Sequence, residues 1–318
     1  MKNIIVLDGY TTTQNHLSWA PLEQLGRLTV YDRSSVVEAR ERVAEADIIL
    51  TNKTRVDEDL LAAAPRLRFV SVLATGYNEI DLEATRRRGV TVSNVVGYST
   101  EGVAQHVLAS MLALENRVVG HHRSVQRGQW AASPDFCYTL SPVHELSGRT
   151  LGIYGYGKIG QRVGELARAF GMRVLAYRRH PEGETPQGVQ YVDVPTLLRE
   201  SDILTLHAPL NEDSRHFIRT EHLQQMKPSA LLINTGRGGL IHEGDLRQAL
   251  LAGGLRGAAL DVLSEEPPVK GNCLMDAPNL LITPHMAWQS VQSRQRLIEL
   301  SAQNVEAFLA GRPVNVVG

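Results

Sequence analysis

The chain has 318 residues, enough for about two domains of ordinary size, each with its own core. Hydrophobic residues make up 43%, charged residues 21%, and the formal net charge is −1, which excludes a disordered chain, a membrane-embedded chain and a basic coat for nucleic acid. A small soluble ligand is the expected partner, with no nucleic acid and no membrane.

The first apolar run, IIVL (4 to 7), is short and reaches Asp8 and Gly9, so it reads as a strand and not as the core of a signal peptide. LTVYD (28 to 32), DIILTN (47 to 52), RFVSVLAT (68 to 75) and VTVSNV (90 to 95) continue the series, with helical patterns such as SSVVEARERVAEA and EIDLEATRRRG between them. This alternation predicts a parallel sheet covered by helices. From Ser99 the spacing predicts one long buried helix, STEGVAQHVLASMLALENRVVG. A second alternating series follows: TLGIYG (150 to 155), RVLAY (173 to 177), ILTLHAP (203 to 209), ALLINTG (230 to 236), GAALDV (257 to 262) and LLITPH (280 to 285). The segment VQSRQRLIELSAQNVEAFLAG closes the chain as an amphipathic helix that is expected to return to the first domain. The expected fold class is α/β, two doubly wound parallel-sheet domains with a cleft between them. One spans 99–288; the other is discontinuous, 1–98 with 289–318. Cys137 and Cys273 belong to no CxxC pair, so neither a disulfide framework nor a zinc site is indicated, and a reducing, cytoplasmic setting is expected.

The turn Gly155-Tyr156-Gly157-Lys158-Ile159-Gly160 follows an apolar strand and opens a helical pattern, the context that makes GxGxxG a dinucleotide signal. Gly155 permits the tight turn, Gly157 lets backbone approach a pyrophosphate, and Gly160 allows close helix packing. A Rossmann-type cofactor domain is thus expected at 99–288. Its second strand ends in VLAYRRHP, where an acidic residue usually binds the ribose 2′-hydroxyl and repels a 2′-phosphate. Arg178 removes that repulsion, and its planar fork of donors matches a phosphate, with Arg179 beside it. NADP(H) is therefore the expected cofactor, with NAD(H) possible. The alternative is a solvated pair of arginines answering Glu182 and Glu184.

Three further strands of this domain end in ionisable groups: INTGRGG with Arg237, ALDVLSEEPP with Asp261, Glu265 and Glu266, and ITPHMAW with His285. Together with LATGYNEID, GYGKIG and LHAPL, in this order over essentially the whole length, these motifs resemble the D-isomer-specific 2-hydroxyacid dehydrogenases. The resemblance implies a catalytic set of Arg237, Glu266 and His285, and a flavodoxin-like substrate domain around the first sheet. The chemistry supports those roles independently. A keto oxygen that gains charge on reduction needs a proton donor, for which histidine is best tuned. A neighbouring carboxylate favours the imidazolium form and fixes the ring. A guanidinium binds carboxylate or carbonyl oxygens.

The same resemblance implies that the backbone around Thr75 and Gly76 holds the substrate carboxylate. It implies that Asp261 accepts from a nicotinamide carboxamide, that Thr235, Gly236 and the His207, Ala208, Pro209 segment line the cofactor cleft, and that Val103 packs on the cofactor. Val96 and Gln105 depart from the family pattern and put local loop geometry in doubt. LTNKT and SPDFC resemble the glycerate dehydrogenase or hydroxypyruvate reductase group, with Lys53 either adding charge for a small carboxylated substrate or standing as an exposed loop lysine. Reduction of glyoxylate or hydroxypyruvate is the expected activity. NADH-dependent glycerate or D-lactate dehydrogenase and a nucleotide-sensing corepressor-like scaffold stand as alternatives. HHRSVQRGQW resembles the family's dimerisation arm, which implies a homodimer. His121 and His122 have no third ligand at a useful spacing, so no metal site is expected.

Overall fold

The structure is a computed structural model that describes residues 1–179 and 186–318. The chain forms two compact units, Met1–Ser99 with Gln289–Gly318, and Thr100–Trp288. In the first, β1 (Asn3–Val6), β2 (Arg27–Val30), β3 (Ile48–Thr51), β4 (Phe69–Val72) and β5 (Thr91–Ser93) pair in parallel in the order β2-β1-β3-β4-β5. This is the doubly wound order of flavodoxin-like sheets. Side-chain oxygens start the covering helices. Ser35 and Glu38 form a reciprocal capping box, and Asp57 and Asp81 accept from the amides of Leu60 and Ala84. The Val291–Leu309 helix packs here, where Phe308 stacks on Phe69 with ring centroids 4.5 Å apart.

The second unit carries β6 (Thr150–Tyr154), β7 (Arg173–Tyr177), β8 (Val189–Tyr191), β9 (Ile203–Leu206), β10 (Leu231–Asn234), β11 (Gly257–Leu260) and β12 (Leu280–Ile282). All pair in parallel, in the order β12-β11-β10-β9-β6-β7-β8, the Rossmann order with one added strand. Leu231 and Ile233 enter the core on one face and Leu232 on the other, because successive side chains alternate. Both faces are covered, and this is why the strands read as unbroken apolar runs.

Two elements differ from the sequence reading. The edge strand β8 is only three residues long, pairs with β7 alone and buries none of them fully, so its alternation is too short to detect in sequence. The long helix is also not continuous. It runs Thr100–Asn116, breaks at Arg117 in the left-handed region (φ 47°), and a second helix, Val118–Gln126, begins. A non-glycine residue at positive φ cannot continue a right-handed helix. In that second helix His121 Nδ1 meets Arg117 O at 3.0 Å while Nε2 accepts from Leu140 N at 3.0 Å, so the ring ties down backbone.

The amino edge of the second sheet is held by one buried carboxylate. Glu115, in the last turn of the Thr100–Asn116 helix, accepts from both Arg149, just before β6, and Arg256, just before β11, and its side chain is fully enclosed. Burial pushes its carboxyl up, but the hydrogen bonds from Arg256 and Arg149 outweigh that and hold it below the ordinary 4.5. Because the folded value is the lower one, this contribution is complete above about pH 4.5 and is lost as the pH falls through the folded value. Glu115→Ala leaves two arginines facing each other without an anion and is expected to destabilise the protein by about 3–5 kcal/mol. Denaturant melts of the variant and the parent at neutral pH measure this, and the difference should shrink in acid.

Candidate active site

A parallel sheet delivers the carboxyl end of every strand to one edge. In the second unit that edge collects Gly155 after β6, Arg178 after β7, His207 after β9, Thr235 to Arg237 after β10, Asp261 after β11 and His285 after β12. β6 lies between β9 and β7, the point at which the winding reverses and a crevice opens. Gly155 stands there at φ 96°, and a Cβ on it would lie 2.5 Å from Ala208 N and 2.7 Å from His207 C. The two loops touch backbone to backbone, so only glycine fits. A Cβ on Gly160 would meet Gly155 O at 2.5 Å, whereas one on Gly157 would meet nothing within 4 Å.

That open space lies at the start of the Lys158–Ala169 helix, which has no side-chain cap. Among the described residues no acceptor meets the amides of Gly157, Lys158, Ile159 and Gly160. Unsatisfied donors at the positive end of a helix dipole fit a phosphate. The Tyr156 side chain serves the core, edge-on to Tyr191 at 5.8 Å, so only its backbone belongs to the turn.

The two arginines after β7 are not equivalent. Gly155 N donates to Tyr177 O, which sets Arg178 beside the glycine turn. Arg178 is half-buried, and no acceptor among the described residues meets its guanidinium. Arg179 is exposed and pairs with Asp213 Oδ2 at 2.8 Å. Glu182 and Glu184 lie outside the described residues. Elsewhere along the edge, burial pushes the His207 imidazole down to about 3, so the ring is neutral; it exchanges a hydrogen bond with Thr205 Oγ1 at 3.0 Å. The Thr235 hydroxyl is buried without a partner among the described residues, and Val103 is 5% exposed. The orphaned hydroxyl, the bare helix start and Arg178, without an acceptor among the described residues, together fit a dinucleotide.

His285 and Glu266 meet directly. Nδ1 of the ring lies 2.6 Å from Glu266 Oε2, and Glu266 Oε1 accepts from Leu263 N at 2.8 Å. A carboxylate only accepts, so Nδ1 is the donor and Nε2, which has no partner among the described residues, is left to exchange a proton. The backbone of His285 is left-handed, with φ 49°. Its N–H is shared between Asp261 O at 2.8 Å and Thr283 O at 3.0 Å. Asp261 Oδ1 accepts from Thr283 Oγ1 (2.6 Å) and Met286 N (2.9 Å), and Oδ2 accepts from Ala287 N (2.8 Å). Both oxygens thus hold donors from the His285 loop and the side chain is 1% exposed, with acceptor capacity left for the carboxamide contact that the family resemblance implies.

Arg237 is joined to the dyad through its neighbour. A Cβ on Gly238 would lie 1.9 Å from Leu263 C and 2.4 Å from Ser264 N, so the Arg237 loop rests directly on the loop that carries Glu266. Buried Asn234 shapes the first of these loops, accepting from Gly236 N at 3.0 Å and donating to Arg237 O at 2.9 Å. Glu243 holds the second by accepting from Ser264 N and Asn272 Nδ2. The half-buried Arg237 guanidinium itself donates to Gly236 O at 2.8 Å. Asn234 and Glu243 escape sequence reading; an Asn ending a buried strand before a glycine loop was the available signal for the first.

Lys53, Thr75 and Gly76 belong to the other unit. Asp8 accepts from the amides of Asn52, Lys53 and Thr54 and so fixes the Lys53 turn. The Lys53 ammonium is 61% exposed and stands 3.7 Å from Glu79. Thr75 donates its hydroxyl to Val95 O at 2.8 Å, while among the described residues no acceptor meets the amides of Thr75, Gly76 and Tyr77. Successive N–H groups left without acceptors suit a carboxylate.

The family model for the NAD binding domain of the D-isomer specific 2-hydroxyacid dehydrogenases matches residues 108–287. The chain is 41% identical over 319 residues to a hydroxypyruvate reductase of Blautia hydrogenotrophica, covering 99% of each. It is 44% identical over 282 residues to a glycerate dehydrogenase of Methylorubrum extorquens, covering 88% of each. Among solved structures, an acyclic imino acid reductase in complex with NADPH and D-Arg superposes with a TM-score of 0.87 at 30% identity, covering 99% of this chain and 100% of that one. The chain therefore belongs to the D-isomer-specific 2-hydroxyacid dehydrogenase family and is an oxidoreductase dependent on a nicotinamide dinucleotide.

Proposed function

We propose that this protein reduces a small 2-keto acid, glyoxylate or hydroxypyruvate, to the D-hydroxy acid, with NADPH preferred over NADH. The observation that carries the reading is the 2.6 Å contact between His285 Nδ1 and Glu266, which leaves Nε2 available. The names of the hydroxypyruvate reductase and glycerate dehydrogenase relatives support the substrate class. When bound, the dinucleotide supplies the hydride. The amides of Gly157 to Gly160 would hold its phosphates, with Thr235, Gly236, His207 to Pro209 and Val103 along its cleft. Arg237 orients the substrate by its guanidinium, and the Thr75 and Gly76 amides take the carboxylate. His285 then delivers a proton from Nε2 to the oxygen that gains charge, while Glu266 holds the ring and offsets the charge of the imidazolium.

A panel of 2-keto acids run with both reduced cofactors tests the activity, and no turnover with any keto acid would remove the reading. His285→Ala is expected to lower kcat by about 10²–10⁴ through loss of the proton donor. A variant turning over near the parental rate would transfer that role elsewhere.

For the cofactor, a charge-assisted hydrogen bond contributes about 1.5–3 kcal/mol before exposure discounts it, and about 1.4 kcal/mol is tenfold in efficiency. Arg178→Asp should therefore move the ratio of kcat/KM for NADPH over NADH downward by about tenfold or more, since it removes an attraction and adds a repulsion. Arg179→Ala should move it less, because Asp213 already neutralises that side chain. Equal shifts in the two variants would assign the phosphate to both arginines.

The residues after the helix break support a homodimer. Val118, Val119, Trp130 and Phe136 are exposed and apolar, a composition suited to an interface between copies. Light scattering on the purified protein should return a mass of about twice 35.0 kDa at micromolar concentration.

A further inference from the structure

The Thr100–Asn116 helix carries an ionisable side chain that the proposed chemistry leaves unused. His106 is largely enclosed, with its Nε2 3.1 Å from Thr283 Oγ1 and 3.6 Å from Asp261 Oδ1. The supply of hydrogens fixes the direction of this chain. Thr283 has one hydroxyl hydrogen, and Asp261, which takes amide hydrogens on both oxygens, is the acceptor for it at 2.6 Å. The Thr283 oxygen is then left to accept, so the hydrogen between it and His106 sits on Nε2.

We propose that His106 is a positioning residue for His285, acting through Thr283 and Asp261. Its Nε2–H holds the Thr283 hydroxyl in the one orientation that points its hydrogen at Asp261. Asp261 in turn binds the amides of Met286 and Ala287 through its carboxylate and the amide of His285 through its carbonyl. These bonds bracket a residue with left-handed backbone on both sides. Without His106 the Thr283 hydroxyl is held by Asp261 alone and the bracket loosens, so the His285 ring leaves Glu266 for part of the time. The helix that carries His106 also packs against the Lys158–Ala169 helix of the glycine turn, so the same element reaches both the cofactor end and the proton-donor end of this edge.

The inference rests on the reading of His285 as proton donor, and it is tested with two readouts. In the cofactor-free protein, proton NMR should show a downfield imidazole N–H resonance from the Nδ1–Glu266 contact, identified by its absence in Glu266→Gln. His106→Leu and Thr283→Val should each broaden it by exchange, while His106→Gln, whose amide can donate to Thr283, should keep it. In steady-state kinetics the Leu and Val variants should lose about tenfold or more in kcat with cofactor affinity unchanged within about twofold, as expected for a displaced reacting group, and the Gln variant should recover most of it. The double variant should be no worse than either single one, since both act on one chain of bonds. A Leu variant with parental kcat and an unmoved resonance would overturn the proposal, as would a Gln variant as impaired as Leu. If the parent reduces no keto acid, the proton-donor reading fails, and the resonance alone still decides whether His106 holds the dyad together.

Discussion

A carboxylate shut away from water has to be met by donors, and Asp261 is met by the hydroxyl of Thr283 and the amides of Met286 and Ala287. That requirement gives residues 283–287 one shape. It is the shape in which the His285 backbone turns left-handed, a conformation that costs about 1–3 kcal/mol and persists only where the surroundings impose it. The turn brings Nδ1 onto Glu266 and leaves the other nitrogen without a partner among the described residues. Glycines make the complementary contribution. Gly155 and Gly238 let neighbouring loops meet backbone to backbone, at separations no side chain would permit. Hydrogen bonds thus draw the loops together, and missing side chains let them arrive.

The second sheet divides its tasks between its two edges. At the amino edge Glu115 ties the end of one helix to the segments preceding β6 and β11, and Asp202 adds to the network by accepting from Lys227 and from Thr150 N. At the carboxyl edge lie the donors and the His285 nitrogen that meet no partner among the described residues. A fold needs satisfied polar groups to be stable and unsatisfied ones to bind, and a parallel sheet separates the two by the length of its strands. Changes at one edge are accordingly expected to add to changes at the other, since they share no partner.

Much of this was legible in the sequence because it depends on neighbours in the chain. The glycine turn announces itself through the strand before it and the helix after it, and the apolar runs of β9, β10 and β11 predict strands covered on both faces. What escaped depends on residues far apart. His106 and Thr283 are separated by 177 positions, and nothing local in GVAQHVLAS marks its histidine. Glu243 reads as an ordinary acid in the first turn of a helix until Ser264 is brought to it. β8 was invisible because an edge strand of three residues is too short to establish a period. Asp261 was recognised for a cofactor contact, but its second task escaped, since only the fold reveals that the loop bearing His285 returns to cover it.

The arginine pair after β7 shows why residue type alone decides little about a cofactor. In sequence Arg178 and Arg179 are interchangeable donors for a phosphate. In the structure one leaves the strand beside the glycine turn without an acceptor among the described residues, and the other sits against Asp213. The ion pair itself is a weak obstacle, because both side chains are more than half exposed and such pairs contribute about 0–1 kcal/mol. The stronger obstacle is Asp213, whose negative charge would stand next to any phosphate that Arg179 gathered. Attraction at Arg179 therefore comes with repulsion from Asp213, whereas among the described residues no acid pairs with Arg178, so the proposed NADPH preference is assigned to Arg178.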